Sequence, residues 1–146
     1  MAFEVRCYLV PPGIDAEALK REVSRALPHL LVVQVASSDA VRNQAFVELV
    51  AWQTVWARSS GSLLAKTPEM DLLLRLSGTS QIAEAIEKAG ARKGRRNALI
   101  LVGNRGQLGH LGGVLPAGAS RIKSNPLSKE ESARVEDAAL LSAARA

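Results

Sequence analysis

Four short apolar segments, separated by segments with helical spacing, set the fold class of this 146-residue chain. The candidate strands cover residues 4–10, 30–35, 71–76 and 98–102. Residues 4–10 alternate between apolar and polar side chains, and residues 30–35 are rich in branched side chains without a helical period. Because strands and helices alternate along the chain, we expect an α/β (mixed α+β) fold in which helices cover one small mixed sheet. The length predicts a single domain over residues 1–146.

The segments between and after these strands have the signals of helices. Three helices are expected at residues 16–27, 80–89 and 125–146, and a longer one from caps at residues 37–39 to about residue 58. Asp15 and Thr79 can act as N-caps, and Pro28 ends the first helix. A brief last strand is expected at residues 120–123.

The longest predicted helix carries two apolar stripes. At about 100° per residue, its broad stripe is expected to face the core. That stripe consists of Ala45, Phe46, Leu49, Val50, Trp52 and Trp56. The narrow stripe consists of Val47, Ala51 and Val55. The narrow stripe fits either a second internal layer or a partner surface.

Composition points to an anionic partner. The formal net charge is +5, which favours nucleic acid among the candidates. Aromatic residues are only 3% of the chain, so a platform for base stacking is not expected. The apolar runs fall short of the roughly 18 residues of a membrane span, the N-terminus does not resemble a signal peptide, and Cys7 is the single cysteine. We therefore expect a cytoplasmic protein without a membrane association.

Residues that could support catalysis are sparse. His29 and His110 lack metal-ligand spacing, and the carboxylates form no acid/base pair, so no catalytic residue, metal or cofactor is expected. The glycines in residues 103–113 follow a strand but match neither GxGxxG nor GxxxxGK. The chain is therefore not expected to be an enzyme. The alternative is a small nucleotide- or small-molecule-binding enzyme that uses this glycine-rich loop, with Arg105 as an anion ligand.

The most specific motif is AKTPEMDLLLRLSGTSQIAEAIEKAG, residues 65–90. Its features are an acidic residue, an apolar strand that ends in arginine, Ser-Gly, Gln-Ile, and a helix of the form xxAIxxxG. Here these are Asp71, Arg75, Ser77-Gly78, Gln81-Ile82, Ala85-Ile86 and Gly90. This combination resembles the signature of the small kinase-binding regulatory subunit of the KEOPS complex, the family of the vertebrate PRPK-binding protein. It covers about a sixth of the chain, and the compact length and basic charge suggest the archaeal type.

The resemblance implies a non-catalytic role. KEOPS makes the threonylcarbamoyladenosine modification of certain tRNAs: its catalytic subunit performs the transfer and its kinase-like subunit hydrolyses ATP. The subunit that this chain resembles docks on the N-terminal lobe of the kinase-like protein, stimulates it, and captures the single-stranded 3′ CCA end of tRNA. Self-association is not indicated either way.

The resemblance also assigns the residues around Gly78. We expect Arg75 to pair with a charged group of the ligand, and Ser77, Gly78 and Thr79 to donate hydrogen bonds to the ligand. Gln81 is expected to recognise the ligand through its side-chain amide, and Ile82 to form part of the pocket wall. Lys66 and Thr67 complete a basic rim. A plain structural explanation remains beside this one: Thr79 caps a helix, Gly78 forms a turn, and Arg75 pairs with Asp71 or Glu84.

Two further groups have open roles. The cations that follow the third helix are Arg92, Lys93, Arg95 and Arg96. They fit either tRNA phosphates or a solvated turn at a helix C-terminus. The resemblance places kinase binding on the last helix, where the apolar residues are Val135, Ala138, Leu140 and Leu141. That helix could equally serve only to cover the sheet.

Overall fold

The structure, a computed structural model, describes residues 3–109 and 111–145. It confirms the mixed α/β fold: within these residues, helices pack on both faces of one sheet. The strands are β1 Phe3–Val10, β2 Val32–Ser37, β3 Asn97–Asn104 and β4 Ser120–Arg121. The helices are α1 Ala16–Ala26, α2 Gln44–Ser60, α3 Pro68–Ser77, α4 Ile82–Ala89 and α5 Lys129–Arg145.

The sheet has the order β2-β3-β1-β4, and each neighbouring pair is antiparallel. The sheet is therefore not mixed in strand direction, contrary to our expectation. The alternating side chains of β1 divide the interior into two cores. Val5 and Cys7 face a core formed with α2, α3 and α4, whereas Tyr8 and Val10 face a core formed with α1. Helix α5 packs on the outside of α2 and α3.

The prediction of a strand at residues 71–76 is wrong, because this segment is the centre of α3. The Thr67 side chain accepts a hydrogen bond from the Met70 amide, and Pro68 occupies the first turn. Both features start a helix. Residues 71–77 are buried because α3 contacts the sheet, α2, α4 and α5. A helix enclosed on every side can be apolar all round, and its sequence then lacks an amphipathic period.

The predicted orientation of α2 is confirmed for Phe46 and Val50, which are buried, and wrong for the larger side chains of the broad stripe, while the narrow stripe forms an internal layer. Val47 and Ala51 of the narrow stripe are fully buried, whereas Leu49, Trp52 and Trp56 are exposed. Gln44 explains this orientation, because its buried side-chain amide accepts from the Cys7 N–H and donates to the Val5 carbonyl. This amide satisfies two backbone groups at the edge of β1, which fixes the rotation of the helix. The helix begins at Gln44 with Asn43 as N-cap, later than the caps expected at residues 37–39.

The burial of Cys7 has a chemical consequence. Burial, with a smaller contribution from Glu48, raises the pKa of the Cys7 thiol far above its ordinary value, although Arg121 acts in the opposite direction. The thiolate that attacks disulfide reagents is therefore absent from the folded protein at pH 8. We expect dithiobis(nitrobenzoate) to modify Cys7 roughly a thousandfold more slowly in native protein than in urea. Complete labelling of native protein within minutes would contradict this burial.

Candidate functional site

Arg75 lies in the interior, so the expectation that it faces a ligand is wrong. Its side chain is 1% exposed and forms a bidentate pair with Asp71, with Nε 2.7 Å from Oδ1 and Nη2 3.2 Å from Oδ2. Nη1 donates to Gln53 Oε1 and to the Ala138 carbonyl. Asp71 also accepts from the Thr54 hydroxyl and the Leu64 amide. The plain pairing of Arg75 with Asp71 is therefore the observed one, and it joins α3 to α2 and α5.

The bend at Gly78 is closed as well. The Ser77 hydroxyl donates to the Leu73 and Leu74 carbonyls of its own helix. Gly78 ends α3 with φ 71°, and a Cβ there would lie 2.9 Å from the Arg134 side chain, which donates to the Ser77 carbonyl. Arg134 thus occupies the space that we assigned to a ligand. The bend joins two helices and is a C-cap, in which Ser77 is buried and Gly78 is half-buried beside Arg134.

Thr79 and Gln81 begin the next helix. The Thr79 hydroxyl accepts from the Gln81 amide and donates to the Glu84 carboxylate. Hydrogen bonds from Lys88 and then Thr79 lower the pKa of Glu84. Gln81 is the exposed N-cap of α4. Thr79 therefore stabilises the start of α4, and only Gln81 projects into solvent.

Three other residues of the predicted site do come together. Lys66, Thr67 and Ile82 line one cavity of about 380 Å³, together with Ala65 and Met70. Lys66 and Thr67 are exposed at the opening of this cavity. Ile82, on the first turn of α4, is 50% exposed. A cavity with aliphatic walls and a cationic mouth suits a ligand that is apolar at one end and anionic at the other.

A second cavity of about 720 Å³ lies beside the first. The two share Met70, and Ile82 and Ile86 line one cavity each from successive turns of α4. Arg92 and Lys93 line the second cavity, while Lys20 and the acidic Asp15 and Glu17 line it from the side of α1. We call the two cavities together the α3–α4 groove. Its principal residues are Lys66, Thr67, Met70, Ile82, Ile86, Arg92 and Lys93.

The basic cluster forms a closed loop at one end of the α3–α4 groove. The Asn97 side chain accepts from the Arg92 amide and donates to the Arg92 carbonyl, which pins the base of the loop. Lys93, Arg95 and Arg96 are exposed, and Arg92 is half-buried. The loop therefore presents four cations from a fixed backbone, an arrangement that suits phosphate.

Helix α5 offers fewer partner contacts than we expected. Ala138 is fully buried, so its assignment to a kinase-binding surface is wrong. Val135 and Leu141 are partly buried against the first core. Leu140 alone of the four predicted residues is largely free, at 64% exposed. Helix α5 thus covers α2 and α3 with Val135, Ala138 and Leu141.

Several amides at the start of the glycine-rich loop are already engaged within the protein. Gly103 pairs with Glu4 inside the sheet, and the Gly106 amide donates to the Glu4 carboxylate. The Asn104 amide donates to Gln107 Oε1.

His110 lies outside the described residues. Within residues 3–109 and 111–145, no three His, Cys, Asp or Glu side chains are placed to share a metal ion, and no helix has the length and apolarity to cross a bilayer.

Sequence reasoning missed two contributors to the α3–α4 groove. Neither Met70 nor Ile86 is among the site residues predicted from the sequence, and Ile86 lies on α4 with Ala85 and Ala89. Only the two alanines are buried, while Ile86 is 51% exposed. The available signal was size: small residues on one face of α4 permit close packing on α3, which moves the larger isoleucines to the margin.

Comparison with known proteins finds a relative that matches part of the chain. No protein-family model matches the chain. Over 70 residues the chain is 40% identical to a protein from Pyrococcus abyssi (strain GE5 / Orsay) described as KEOPS complex subunit Cgi121. The match covers 48% of this chain and 39% of that protein, so the chain spans about two fifths of its relative's length. This similarity agrees with the family that residues 65–90 resemble.

Proposed function

We propose that residues 1–146 form a non-catalytic subunit of a KEOPS-type tRNA-modification complex. In this role the α3–α4 groove holds the 3′ CCA end of tRNA, and a separate surface docks on the kinase-like ATPase subunit. The observation that carries the RNA-binding role is that Lys66, Thr67 and Ile82 line one cavity. The similarity to a KEOPS subunit supplies the biological context.

The chemistry of the groove supports a single-stranded end over a duplex. Met70 and Ile82 offer an aliphatic wall against which one unstacked base can bury its faces. A base within a duplex could not reach this wall, because its faces are covered by its neighbours. The Thr67 hydroxyl accepts from its own helix and can still donate to a ribose or phosphate oxygen.

The cations at both ends of the groove support one direction for the bound RNA strand. In our proposal the terminal base enters the smaller cavity at Ile82, and the preceding phosphates pass toward Arg92 and Lys93. Arg95 and Arg96 then meet the phosphates of the acceptor stem. Contacts of this kind release counterions, so binding weakens as salt rises. Arg75, Ser77 and Gly78 have no part in this site.

Of the four residues that we first assigned to kinase docking, Leu140 has a largely exposed side chain. Leu140 projects from α5, opposite the side on which Ala138 is buried. We retain Leu140 as part of the docking surface and omit Ala138. Val135 and Leu141 act indirectly in this proposal, because their packing on the first core positions α5.

The experiment that tests the proposal compares intact tRNA with the same tRNA lacking its terminal CCA. At one fixed salt concentration, we expect trimming to weaken binding at least tenfold, roughly the loss of one or two bases held on protein side chains. Fluorescence anisotropy with tRNA labelled away from the acceptor end measures both affinities. Equal affinities for the two tRNAs would contradict capture of the 3′ end.

A further inference from the structure

Helix α2 exposes an aromatic face that the groove does not use. Leu49, Trp52 and Trp56 are 44%, 43% and 65% exposed. The two indole rings stack with their centroids 6.2 Å apart and an interplanar angle of 11°. They are the only two tryptophans in the chain. We call these three residues the α2 face.

The α2 face is outside the core for a structural reason. The opposite side of α2 already fills the first core with Val47, Val50 and Ala51, all fully buried. Gln44 holds that rotation through its two hydrogen bonds to β1. From the exposed fractions, the face offers roughly 300 Å² of apolar surface, about that of the largest patch on a typical monomer. Tryptophan is enriched at protein interfaces, so a patch of this composition indicates a docking site.

The surroundings of the α2 face extend it in two directions. Phe3 and Val5 of β1 border a cavity of about 480 Å³ beside Leu49 and Trp52. On the other side, Gln53 Nε2 donates to the Val135 carbonyl of α5 at 3.1 Å. Helix α5 therefore lies alongside the α2 face. A partner seated there would reach both elements.

Carboxylates outnumber cations near the α2 face, unlike in the groove. Glu4 and Glu48 line the cavity beside Leu49 and Trp52, and Glu136 and Asp137 are exposed on α5. Arg6 and Arg121 are the cations that line this cavity, and the Arg6 guanidinium donates to the Leu108 carbonyl. Carboxylates beside the face repel RNA phosphates and attract lysine or arginine. This arrangement fits a protein surface with basic residues around an aliphatic centre.

The area argues against self-association through this face. Two copies in contact through α2 alone would bury roughly 600 Å² in total, about half of what a stable interface needs. The occupant must cover α5 or the edge of β1 as well. We propose that the α2 face, with Glu48, Glu136 and Asp137 beside it, docks a larger protein partner whose contact surface is aliphatic and rimmed by basic residues. The choice of that partner rests on the proposed function, which makes it the kinase-like subunit.

The two tryptophans provide a direct test. Incorporation of 5-fluorotryptophan into this chain alone gives two ¹⁹F resonances, and both report on the α2 face. We expect the unlabelled kinase-like subunit to shift or broaden both resonances and tRNA to leave both in place. If tRNA shifts them directly in the absence of the kinase-like subunit, the face binds RNA and the proposal is overturned.

Matched variants separate this inference from the proposed function. W52S/W56S should weaken binding of the kinase-like subunit on the order of 30-fold and leave tRNA affinity unchanged. I82S/I86S removes two apolar side chains of similar exposure from the groove and should do the reverse. Circular dichroism melts verify that both variants fold. If wild-type protein binds the kinase-like subunit and W52S/W56S binds it equally well, the α2 assignment fails alone. If the wild-type protein does not bind it, kinase docking and the α2 assignment both fail.

Discussion

Replacement of Arg75 by alanine is expected to lower the free energy of unfolding by about 3–5 kcal/mol. The substitution removes both hydrogen bonds to Asp71 and leaves that carboxylate buried with only the Thr54 hydroxyl and the Leu64 amide as donors. It also removes the donor to the Ala138 carbonyl of α5. A buried charge without its partner costs far more than an exposed one. Equilibrium unfolding in urea measures the loss.

The neighbouring helix offers a matched control. Lys88 and Glu84 of α4 form an (i, i+4) pair with the same 2.7 Å separation as Arg75 and Asp71, but their side chains are 53% and 44% exposed. Lys88→Ala should therefore cost far less stability than Arg75→Ala. The double substitution D71L/R75M removes both buried charges and should recover most of the loss. An R75A variant that keeps full stability but loses tRNA binding would revive the ligand role that the structure contradicts.

Replacement of Ile82 by aspartate is expected to weaken binding of intact tRNA on the order of 30-fold. The aspartate removes an aliphatic wall from the smaller cavity and places a carboxylate near phosphates, and full burial of an aliphatic side chain contributes about 1.5–3 kcal/mol. Stability should be nearly unchanged, because Ile82 is half-exposed and an acidic residue is favourable in the first turn of α4. Anisotropy titration at constant salt provides the measurement.

Ala83→Asp is the control for charge. Ala83 is exposed on the same helical turn but does not line either cavity of the groove. Both variants change the net charge of the protein equally, so long-range repulsion of RNA is matched. If A83D weakens binding as much as I82D, general electrostatics explain the effect and the groove does not.

Residues with local structural signals were predictable from the sequence. The alternation in residues 4–10 and the branched run near residue 32 both identify strands that the structure contains. The last helix was also expected, although it begins at Lys129 and not at residue 125, because Ser128 and Glu131 exchange hydrogen bonds as a capping box. In each case a few neighbouring residues determine the structure without help from the rest of the chain.

The errors arose where distant contacts decide the outcome. An apolar run with one arginine at position 75 looks like a buried strand, and only the partners on α2 and α5 show that it is a buried helix. The orientation of α2 depends on hydrogen bonds between Gln44 and a strand 37 and 39 residues away. The site prediction failed at Arg75 for the same reason: a resemblance of sequence identified the segment, but not which of its side chains face outward.

The most direct measurement of the central claim combines trimming of the tRNA with the Ile82 substitution. Wild-type protein and I82D are each titrated with intact and CCA-trimmed tRNA. The four affinities give the free energy of coupling between the Ile82 side chain and the CCA end. If the α3–α4 groove holds the 3′ end, trimming weakens wild-type binding at least about tenfold and leaves I82D binding nearly unchanged. If trimming weakens both proteins by the same factor, the 3′ end is held elsewhere, and the groove is not its site.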